Sequence, residues 1–366
     1  MSCFGLKRFS PLTLQVSVLA IRRSCKRRQS MDEQHSSSQR WTMAVRFLTL
    51  SLFFTLAFAA FAGPGQAQEK TKFRFGVLYS NPLAALIAVE RGYFKEEGID
   101  VELVPVQNGP AAIAAATSGA VDVTFGDILA WSSGLSNGFT NVKLLLPGTY
   151  NGSSDLLVGP KSSLRVASDF VGKRIGVPPA PTFGLSVRIW LEAAGVDPSS
   201  VKQVIIPTNG DGQALARGDV DAVLTFEPAS SRLVLEQGAV SLGDTTEKAA
   251  PEGATFTAYY ANENFAKTNP ELLARIARAI NRVVADEKNI TIKERALILG
   301  KYSGIDLVEL DKAVPGLIDR IRFGKFQTKP VNIAATQAWL DRAAKFGGVP
   351  ASVDITPHIL SPALGK

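Results

Sequence analysis

The chain is poor in the side chains that enzymes most often use as nucleophiles, general bases or metal ligands. It has two cysteines and two histidines among 366 residues, and Cys3, Cys25 and His35 all lie within the first 67. From residue 68 onward the absence of cysteine excludes a disulfide, a thiol nucleophile, a cysteine metal site and a lipid-modified N-terminal cysteine. His358 is the one histidine in that part, so a Ser-His-Asp triad or a histidine metal cluster is not supported.

Several catalytic sequence motifs are also missing. There is no GxxxxGK[ST] loop for a nucleotide phosphate, and GLSVR at 184–188 lacks the second glycine of a nucleophile elbow. The glycines of GDG at 210–212 are followed by Gly218, which is not the dinucleotide-binding spacing, and Asp211 is expected to cap the next helix. The sequence therefore gives no support for an enzyme, a cofactor or a metal.

The excess of positive charge belongs to the N-terminal part of the chain. The whole sequence has 40 Lys and Arg against 33 Asp and Glu, with a formal net charge of +7. Residues 1–67 contain nine of the basic and two of the acidic residues, which leaves 31 of each in the remainder. The basic pI therefore does not indicate a nucleic-acid partner or an anionic membrane surface.

The one long apolar run also lies in this N-terminal part. FLTLSLFFTLAFAAFA, residues 47–62, follows Arg46 and precedes GPGQAQEK. A basic residue, a short apolar core and small residues near the end are typical of a secretory signal peptide, here cleaved after Ala62 or Ala67. The alternative is an uncleaved anchor, although sixteen residues are short for a membrane span. Translation could start at Met1, Met31 or Met43.

After residue 70, apolar runs of strand length alternate with helical patterns, which predicts an α/β fold with a mostly parallel sheet. The predicted strands are 73–79, 100–106, 121–125, 142–147, 155–159, 174–178, 201–207, 220–226 and 255–260. In VLYSNPLAALIAVERGYF, residues 77–94, Asn81 and Pro82 are expected to begin a helix that ends at Gly92. After Asn262 the pattern is almost wholly helical.

One segment occurs twice. AAIAAATSGAVDVTFGD (111–127) and GQALARGDVDAVLTFEP (212–228) share an Ala-rich helix, a glycine, the dipeptide Val-Asp and a short strand that ends in Phe beside an acidic residue. The alternative is that Gly-x-Val-Asp is an ordinary helix-to-strand turn. Two copies about a hundred residues apart suggest two lobes of similar construction.

The predicted strand ends carry polar or aromatic residues, and in open α/β sheets ligands bind beyond the carboxyl ends of strands. In the first lobe these ends are 79–81, 126–127 and 149–151, and in the second they are 179–183 and 225–227. Most of them directly precede a helix. A cleft lined by helix N-termini suits a ligand with an anionic group.

Individual side chains at these ends have competing interpretations. Asp127 and Glu227 could reach the cleft, or they could cap the helices that follow them. The aromatic residues Tyr79, Tyr150, Phe183 and Phe226 could stack on an aromatic solute or belong to the core. Arg188 could reach an anion, or it could be exposed or cap a helix.

The segments GYFKEEGIDVELVPVQNGPAAIAAATSGAVDVTFGD, DFVGKRIGVP and GDVDAVLTFEP resemble the periplasmic substrate-binding proteins of ABC importers, specifically the nitrate/sulfonate/taurine-binding group and its thiamine-pyrimidine-synthase-like relatives. The resemblance covers residues 72–265 and is expected to extend to the C-terminus. It implies a type-2 periplasmic-binding-protein fold, with two α/β lobes, a hinge of two crossing strands and a helical C-terminal part. The crossings are expected near 155–159 and 258–262. Lobe 1 would be discontinuous, with residues 71–157 and 258–366, and lobe 2 would comprise residues 158–257.

The resemblance also implies which loops contact the solute. Carried over by position, these loops contain Ser80, Asn81, Gly126, Asp127, Tyr150, Asn151, Thr182, Phe183 and Glu227. The pyrimidine synthases of this superfamily use a cysteine-rich motif and histidine, from which this chain departs after residue 67. That departure favours binding without chemistry.

The expected function is therefore that of a monomeric, periplasmic solute-binding protein without a cofactor. It would capture a small organic anion such as a sulfonate or taurine and deliver it to the membrane permease of an ABC importer, without nucleic-acid partners. Helix N-termini with Ser80, Asn81 and Thr182 would hold the oxyanion, and Asp127 or Glu227 would accept a hydrogen bond from an amine. The alternatives are a heteroaromatic solute such as a pyrimidine precursor, or an enzyme of the same fold.

Overall fold

The apolar runs form two sheets in the part of the chain that the computed structural model describes, residues 71–78, 83–149, 154–178, 181–207, 210–245 and 251–360. The strands are β1 (Thr71–Val77), β2 (Ile99–Pro105), β3 (Val123–Asp127), β4 (Val142–Pro147), β5 (Ser154–Val158), β6 (Arg174–Val177), β7 (Lys202–Ile205), β8 (Ala222–Phe226), β9 (Val240–Ser241) and β10 (Thr257–Asn262). The expected signal peptide lies outside these residues.

Both sheets have five strands and the same construction within the described residues. The strand order is β2-β1-β3-β10-β4 in the first sheet and β7-β6-β8-β5-β9 in the second. In each sheet the first three strands are parallel, and the fourth runs antiparallel to both of its neighbours. The repeated segment therefore correctly indicated two units of similar construction.

Helices connect the strands and make up most of the C-terminal part. They are α1 (Leu83–Glu90), α2 (Tyr93–Glu96), α3 (Gly109–Ser118), α4 (Ile128–Ser136), α5 (Pro181–Ala193), α6 (Asp211–Arg217), α7 (Ala229–Gln237), α8 (Glu263–Thr268), α9 (Pro270–Ala285), α10 (Ile292–Ser303), α11 (Leu307–Ala313), α12 (Leu317–Arg320) and α13 (Ile333–Lys345). Among the described helices, none combines the length and the apolar character that a membrane span needs.

The predicted strands are all present, and their ends differ from the observed ones by at most two residues. Strand β9 was not predicted, because two residues give no periodic pattern. Gly92 adopts the left-handed conformation expected of it, with φ of 74°. The predicted helix start at Asn81 and Pro82 lies outside the described residues.

The positions predicted for the two crossings are wrong by several residues. Asp155 to Val158 belong to β5 of the second sheet, and Ala258 to Asn262 belong to β10 of the first. The chain has therefore reached the second sheet by Ser154, where β5 begins, and is back in the first sheet by Thr257, where β10 begins. The prediction failed because apolar strands and apolar connections look alike in sequence, and only strand pairing separates them.

The repeated Val-Asp dipeptide fixes the strands in both sheets. Asp122 accepts hydrogen bonds from the backbone N–H of Arg74 at 2.7 Å and from its guanidinium at 2.6 and 3.2 Å. Asp221 accepts the equivalent bonds from Arg174, at 2.8 Å from the backbone and 3.3 Å from the side chain. Because these bidentate pairs join neighbouring strands at the same place in each sheet, the dipeptide has a structural role in both copies.

The two sheets share part of one hydrophobic core. A single cluster of buried residues contains Trp131 on α4, Leu156 on β5, Trp190 on α5 and Trp339 on α13. Helix α13 thus packs where residues from both sheets meet. A second cluster lies on the other face of the first sheet, between β1 and α9. Burial of these side chains is the main source of stability.

Candidate functional site

The carboxyl ends of β3 and β8 lead into helices, and three predicted site positions lie here among the described residues: Gly126 and Asp127, the last two residues of β3, and Glu227, which follows Phe226 at the end of β8. A fourth, Phe183, lies in the first turn of α5. Ser80, Asn81, Tyr150 and Asn151 lie outside the described residues, as does Tyr79. Thr182 is the second residue of α5, and its side chain is likewise outside the description.

Asp127 caps helix α4. Its backbone is extended, with φ of −73° and ψ of 141°, and its Oδ1 accepts hydrogen bonds from the N–H groups of Leu129 at 2.7 Å and Ala130 at 3.2 Å. The carboxylate also complements the positive end of the helix dipole. These contacts agree with the capping interpretation of Asp127. A contact between Asp127 and a solute stays a prediction.

Tyr260 on β10 lies beside Asp127 and was missed by the sequence analysis. The side chain is fully buried, and its hydroxyl has no hydrogen-bond partner among the described atoms. Burial raises the pKa of this phenol well above its usual value, and the charge of Asp127 raises it further. Gly126 is also near, because a Cβ there would lie 3.8 Å from Cε2 of the Tyr260 ring. An unpaired buried donor is unusual enough to need an explanation.

Tyr259, the preceding residue on β10, differs from Tyr260 in the hydrogen bonding of its hydroxyl. This phenol is also buried, but its oxygen accepts a hydrogen bond from the N–H of Ala85, in the first turn of α1, at 3.2 Å. Tyr259 therefore satisfies one of the free N–H groups at a helix N-terminus. Two adjacent tyrosines with equal burial thus differ in whether the hydroxyl has a hydrogen-bond partner among the described residues.

Glu227 joins two parts of the chain. Its Oε2 accepts from the N–H of Ser231 in α7, and its Oε1 accepts from the N–H of Arg322, both at 3.2 Å. The first bond caps α7, and the second attaches the segment after α12 to this strand end. Both carboxylate oxygens of Glu227 thus contribute to the structure of this region.

Phe183 and Phe226 stack on each other. Their ring centroids are 5.7 Å apart and the planes are inclined by 17°, and both side chains are half-buried. This offset arrangement is favourable for an aromatic pair. The two rings present a single aromatic surface that belongs to the second sheet.

Arg188 makes a contact away from this surface. Its Nη1 donates to the carbonyl oxygen of Phe346, directly after α13, at 2.7 Å. The guanidinium thus complements the negative end of that helix, which agrees with the capping alternative.

A buried ionic group near Glu227 was also missed by the sequence analysis. Asp155 on β5 is fully buried, and its Oδ1 accepts from Ser241 Oγ at 2.6 Å and from the N–H of Gly243 at 3.2 Å. Its Oδ2 lies 2.5 Å from Nη2 of Arg322 and 3.8 Å from Nη2 of Arg320. Helix α12, which ends at Arg320, also packs against α7.

These contacts connect the C-terminal helical part to the second sheet at the carboxyl end of β8. The alternation of Arg and Ile in LIDRIRF, residues 317–323, was the only sequence signal for them.

Metal or cofactor ligands are not a feature of this region. The described residues contain no group of three or more His, Cys, Asp or Glu side chains positioned to hold a metal ion. Among the described residues, the strand ends of the two sheets and their neighbours carry helix N-termini, two carboxylates, a buried phenol and two phenyl rings. This arrangement is suited to binding a small polar molecule by hydrogen bonds and ring contacts.

Comparisons with known proteins agree with the fold. The chain is 27% identical to the taurine-binding periplasmic protein of Escherichia coli (strain K12) over 199 residues, which is 54% of this chain and 60% of that protein. The match therefore spans less than two thirds of that relative. A solved structure described as a putative sulfonate ABC transporter, periplasmic sulfonate-binding protein SsuA from Methylobacillus flagellatus KT superposes with a TM-score of 0.62 at 20% identity, covering 81% of this chain and 93% of that one.

An enzyme structure has the same fold. The desulfurization enzyme DSZB superposes with a TM-score of 0.58 at 16% identity, covering 80% of this chain and 97% of that one. The fold alone therefore does not separate binding from catalysis.

The family assignment comes from a sequence model. The model described as NMT1/THI5 like matches residues 80–288, from the first predicted site position to the end of α9 and just beyond. Since this is more than half of the 366 residues, the chain belongs to the NMT1/THI5-like family.

Proposed function

We propose that the chain is a periplasmic solute-binding protein that captures a small sulfonate, such as taurine or an alkanesulfonate, between its two lobes. It then delivers the solute to the membrane permease of an ABC importer. Family membership, a relative named for taurine binding and a structural neighbour named for sulfonate binding support this proposal. Export of the chain is supported by the same names and by the expected signal peptide.

The observation that carries the proposal is the matched construction of the two sheets. In each sheet, the strand that ends in Phe beside an acidic residue leads directly into a helix N-terminus, at Ile128 and at Ala229. A ligand between two such ends can interact with helix dipoles from both sides. A sulfonate has three acceptor oxygens and one negative charge, which suits N–H and hydroxyl donors at helix starts.

The amine of taurine needs an acceptor, and the carboxylates of Asp127 and Glu227 are the candidates. We propose that Ser80, Asn81 and Thr182, with helix N–H groups, hold the sulfonate. Gly126, Tyr150, Asn151 and Phe183 would complete the lining. Affinity in the micromolar range, about −8 kcal/mol, is the expected scale.

A heteroaromatic solute is the second candidate, and the stacked pair of Phe183 and Phe226 favours it. The pair offers a preformed aromatic surface on which a flat ring can stack. An enzyme of the same fold is a third possibility, because DSZB shares the fold. Without cysteine after residue 67, a thiol mechanism has no nucleophile in that part of the chain.

The test is the thermal unfolding midpoint of the protein lacking residues 1–67, measured against taurine, alkanesulfonates, nitrate, aromatic carboxylates and pyrimidines. A solute at a hundredfold its dissociation constant stabilises the folded state by roughly 2.7 kcal/mol. We expect sulfonates to raise the midpoint and the other compounds to leave it unchanged. A rise with pyrimidines alone would favour the heteroaromatic alternative. Recovery of a chemically altered solute would identify an enzyme.

A further inference from the structure

A cavity lies at the edge of the first sheet, and none of the candidate site residues lines it. Its volume is about 380 Å³, within the range of small-molecule sites. Its walls come from β4, the end of α9, residues 327–331 with Ile333, and the last described residues of the chain. The lining residues are Leu144, Leu145, Leu146, Pro147, Asn281, Val284, Ala285, Gln327, Thr328, Lys329, Pro330, Val331, Ile333, Ile359 and Leu360.

The shape of the lining side chains favours an aliphatic occupant. Most of them are Leu, Val, Ile, Ala or Pro, and none of those that the structure describes is aromatic. Branched aliphatic side chains provide many van der Waals contacts for a flexible hydrocarbon chain but no ring face for stacking. One water molecule takes up roughly 30 Å³ in the liquid, so at the same volume per atom the cavity has room for about a dozen non-hydrogen atoms.

The charge of the lining favours an anionic head group. Among the described lining residues, Lys329 is the only charged one, and none of them is an acidic residue that would oppose it. Lys329 is exposed, and its Nζ has no ion pair with a described residue. Asn281 and Thr328, whose amide and hydroxyl can donate hydrogen bonds, are also among the lining residues. A carboxylate at the rim would therefore meet donors and a positive charge, with its chain in the aliphatic part.

Gln327 connects this cavity to the segments that join the two sheets. Its backbone N–H donates to the carbonyl of Gly148 at 2.9 Å, and its Oε1 accepts from Thr255 Oγ1 at 2.9 Å. Gly148 begins the first connection between the sheets, and Thr255 lies in the second. An occupant of the cavity therefore contacts a residue that is bonded to both connections.

We propose that this cavity is a second binding site, separate from the strand-end site, for a medium-chain aliphatic carboxylate of the size of octanoate or decanoate. The chain fills the aliphatic part, and the carboxylate pairs with Lys329.

Calorimetric titration of sodium decanoate tests the proposal, with the protein expressed as the full chain and the ligand kept below its aggregation concentration. The variants are Lys329→Gln, which removes the charge, and Ala285→Leu, which adds volume at an exposed lining position at the end of α9. The matched controls are Lys161→Gln and Ala313→Leu, both exposed and outside the lining.

We expect binding of one decanoate per chain, with at least a fivefold loss of affinity in each cavity variant and no change in the controls. Absence of binding heat, or an equal loss in the control variants, would overturn the proposal. Equal binding of decanol or of decyltrimethylammonium would overturn the assignment of an anionic head group. None of these outcomes depends on whether the strand-end site binds sulfonates, because no sulfonate is present.

Discussion

Tyr259 and Tyr260 are adjacent and both buried, but only the hydroxyl of Tyr259 has a hydrogen-bond partner among the described residues. Substitution of each by phenylalanine should therefore change the free energy of unfolding by different amounts. Tyr259→Phe leaves the N–H of Ala85 without its acceptor, so we expect the free energy of unfolding to fall by about 1 kcal/mol. Tyr260→Phe removes a hydroxyl without a described partner, and we expect no loss of stability. Urea unfolding of both variants without solute measures the difference. A loss for Tyr260→Phe as large as that for Tyr259→Phe would show that its hydroxyl has a structural partner.

His358 should make stability depend on pH. Burial lowers the pKa of this imidazole below its usual 6.5, and the charge of Lys143, whose Nζ lies 3.3 Å from Nδ1, lowers it further, while Asp354 and Glu263 oppose the shift. Because the folded pKa is below the unfolded one, the unfolded chain takes up the proton first as the pH falls. The contribution of this histidine to stability is therefore fully present above about pH 6.5 and decreases as the pH falls below that value.

Replacement of this histidine provides the control for that pH dependence. We expect His358→Gln to reduce the loss in unfolding free energy between about pH 7.5 and about pH 5.5, compared with the unsubstituted protein. Urea unfolding at both pH values checks this. An unchanged slope would mean that other groups cause the pH dependence.

At the scale of single elements, Gly148 directly follows β4 and has no room for a side chain. A Cβ at this position would lie 2.6 Å from Thr257 Oγ1, 2.8 Å from the Phe125 ring and 2.9 Å from the Thr257 carbonyl oxygen. Gly159 directly follows β5, and a Cβ there would meet nothing within 4 Å. Both glycines thus follow the last residue of a strand, but Gly148 is closely surrounded by other atoms and Gly159 is not.

Alanine at these two positions should give different stabilities. We expect Gly148→Ala to lower the free energy of unfolding by about 1–3 kcal/mol, because backbone and ring atoms must move. Gly159→Ala should change it by less than about 0.5 kcal/mol. Chemical unfolding of the pair checks this, and equal effects would contradict the close packing at Gly148.

Elements were more predictable from sequence than the contacts between them. Strand β4 was predicted with its observed bounds, because VKLLLP is an apolar run bounded by turn residues. The crossings were misplaced because antiparallel pairing of β5 with β8 depends on residues about seventy positions away. A local pattern contains no information about such a partner.

The same limit applies to the candidate site. Asp127 and Glu227 were predictable at strand ends because acidic residues favour helix N-termini, and both do cap helices. The hydroxyl of Tyr260 and the ionic group of Asp155 were not predictable. Their environments are assembled from strands and helices that are distant in sequence.

At the scale of the whole molecule, the ionic group around Asp155 holds the C-terminal helical part against the second sheet. Asp155→Asn removes the charge that pairs with Arg322 and weakens the acceptor for Ser241. We expect a loss of about 2 kcal/mol in the free energy of unfolding, since the carboxylate is buried while Arg322 is partly exposed.

A surface pair is the matched control for that substitution. Asp219 pairs with Arg217 at 2.7 Å, and both side chains are more than half exposed. Asp219→Asn should therefore cost less than about 1 kcal/mol. If the two substitutions have equal effects on urea unfolding, Asp155 does not contribute as a buried pair.

The central claim is that the molecule binds one small sulfonate between its lobes. The most direct measurement is a calorimetric titration of the protein with taurine and with ethanesulfonate, which differ only in the amine. We predict one solute per chain with micromolar affinity, and a preference for taurine that Asp127→Asn or Glu227→Gln abolishes. No binding heat with either sulfonate at millimolar concentration would contradict the claim.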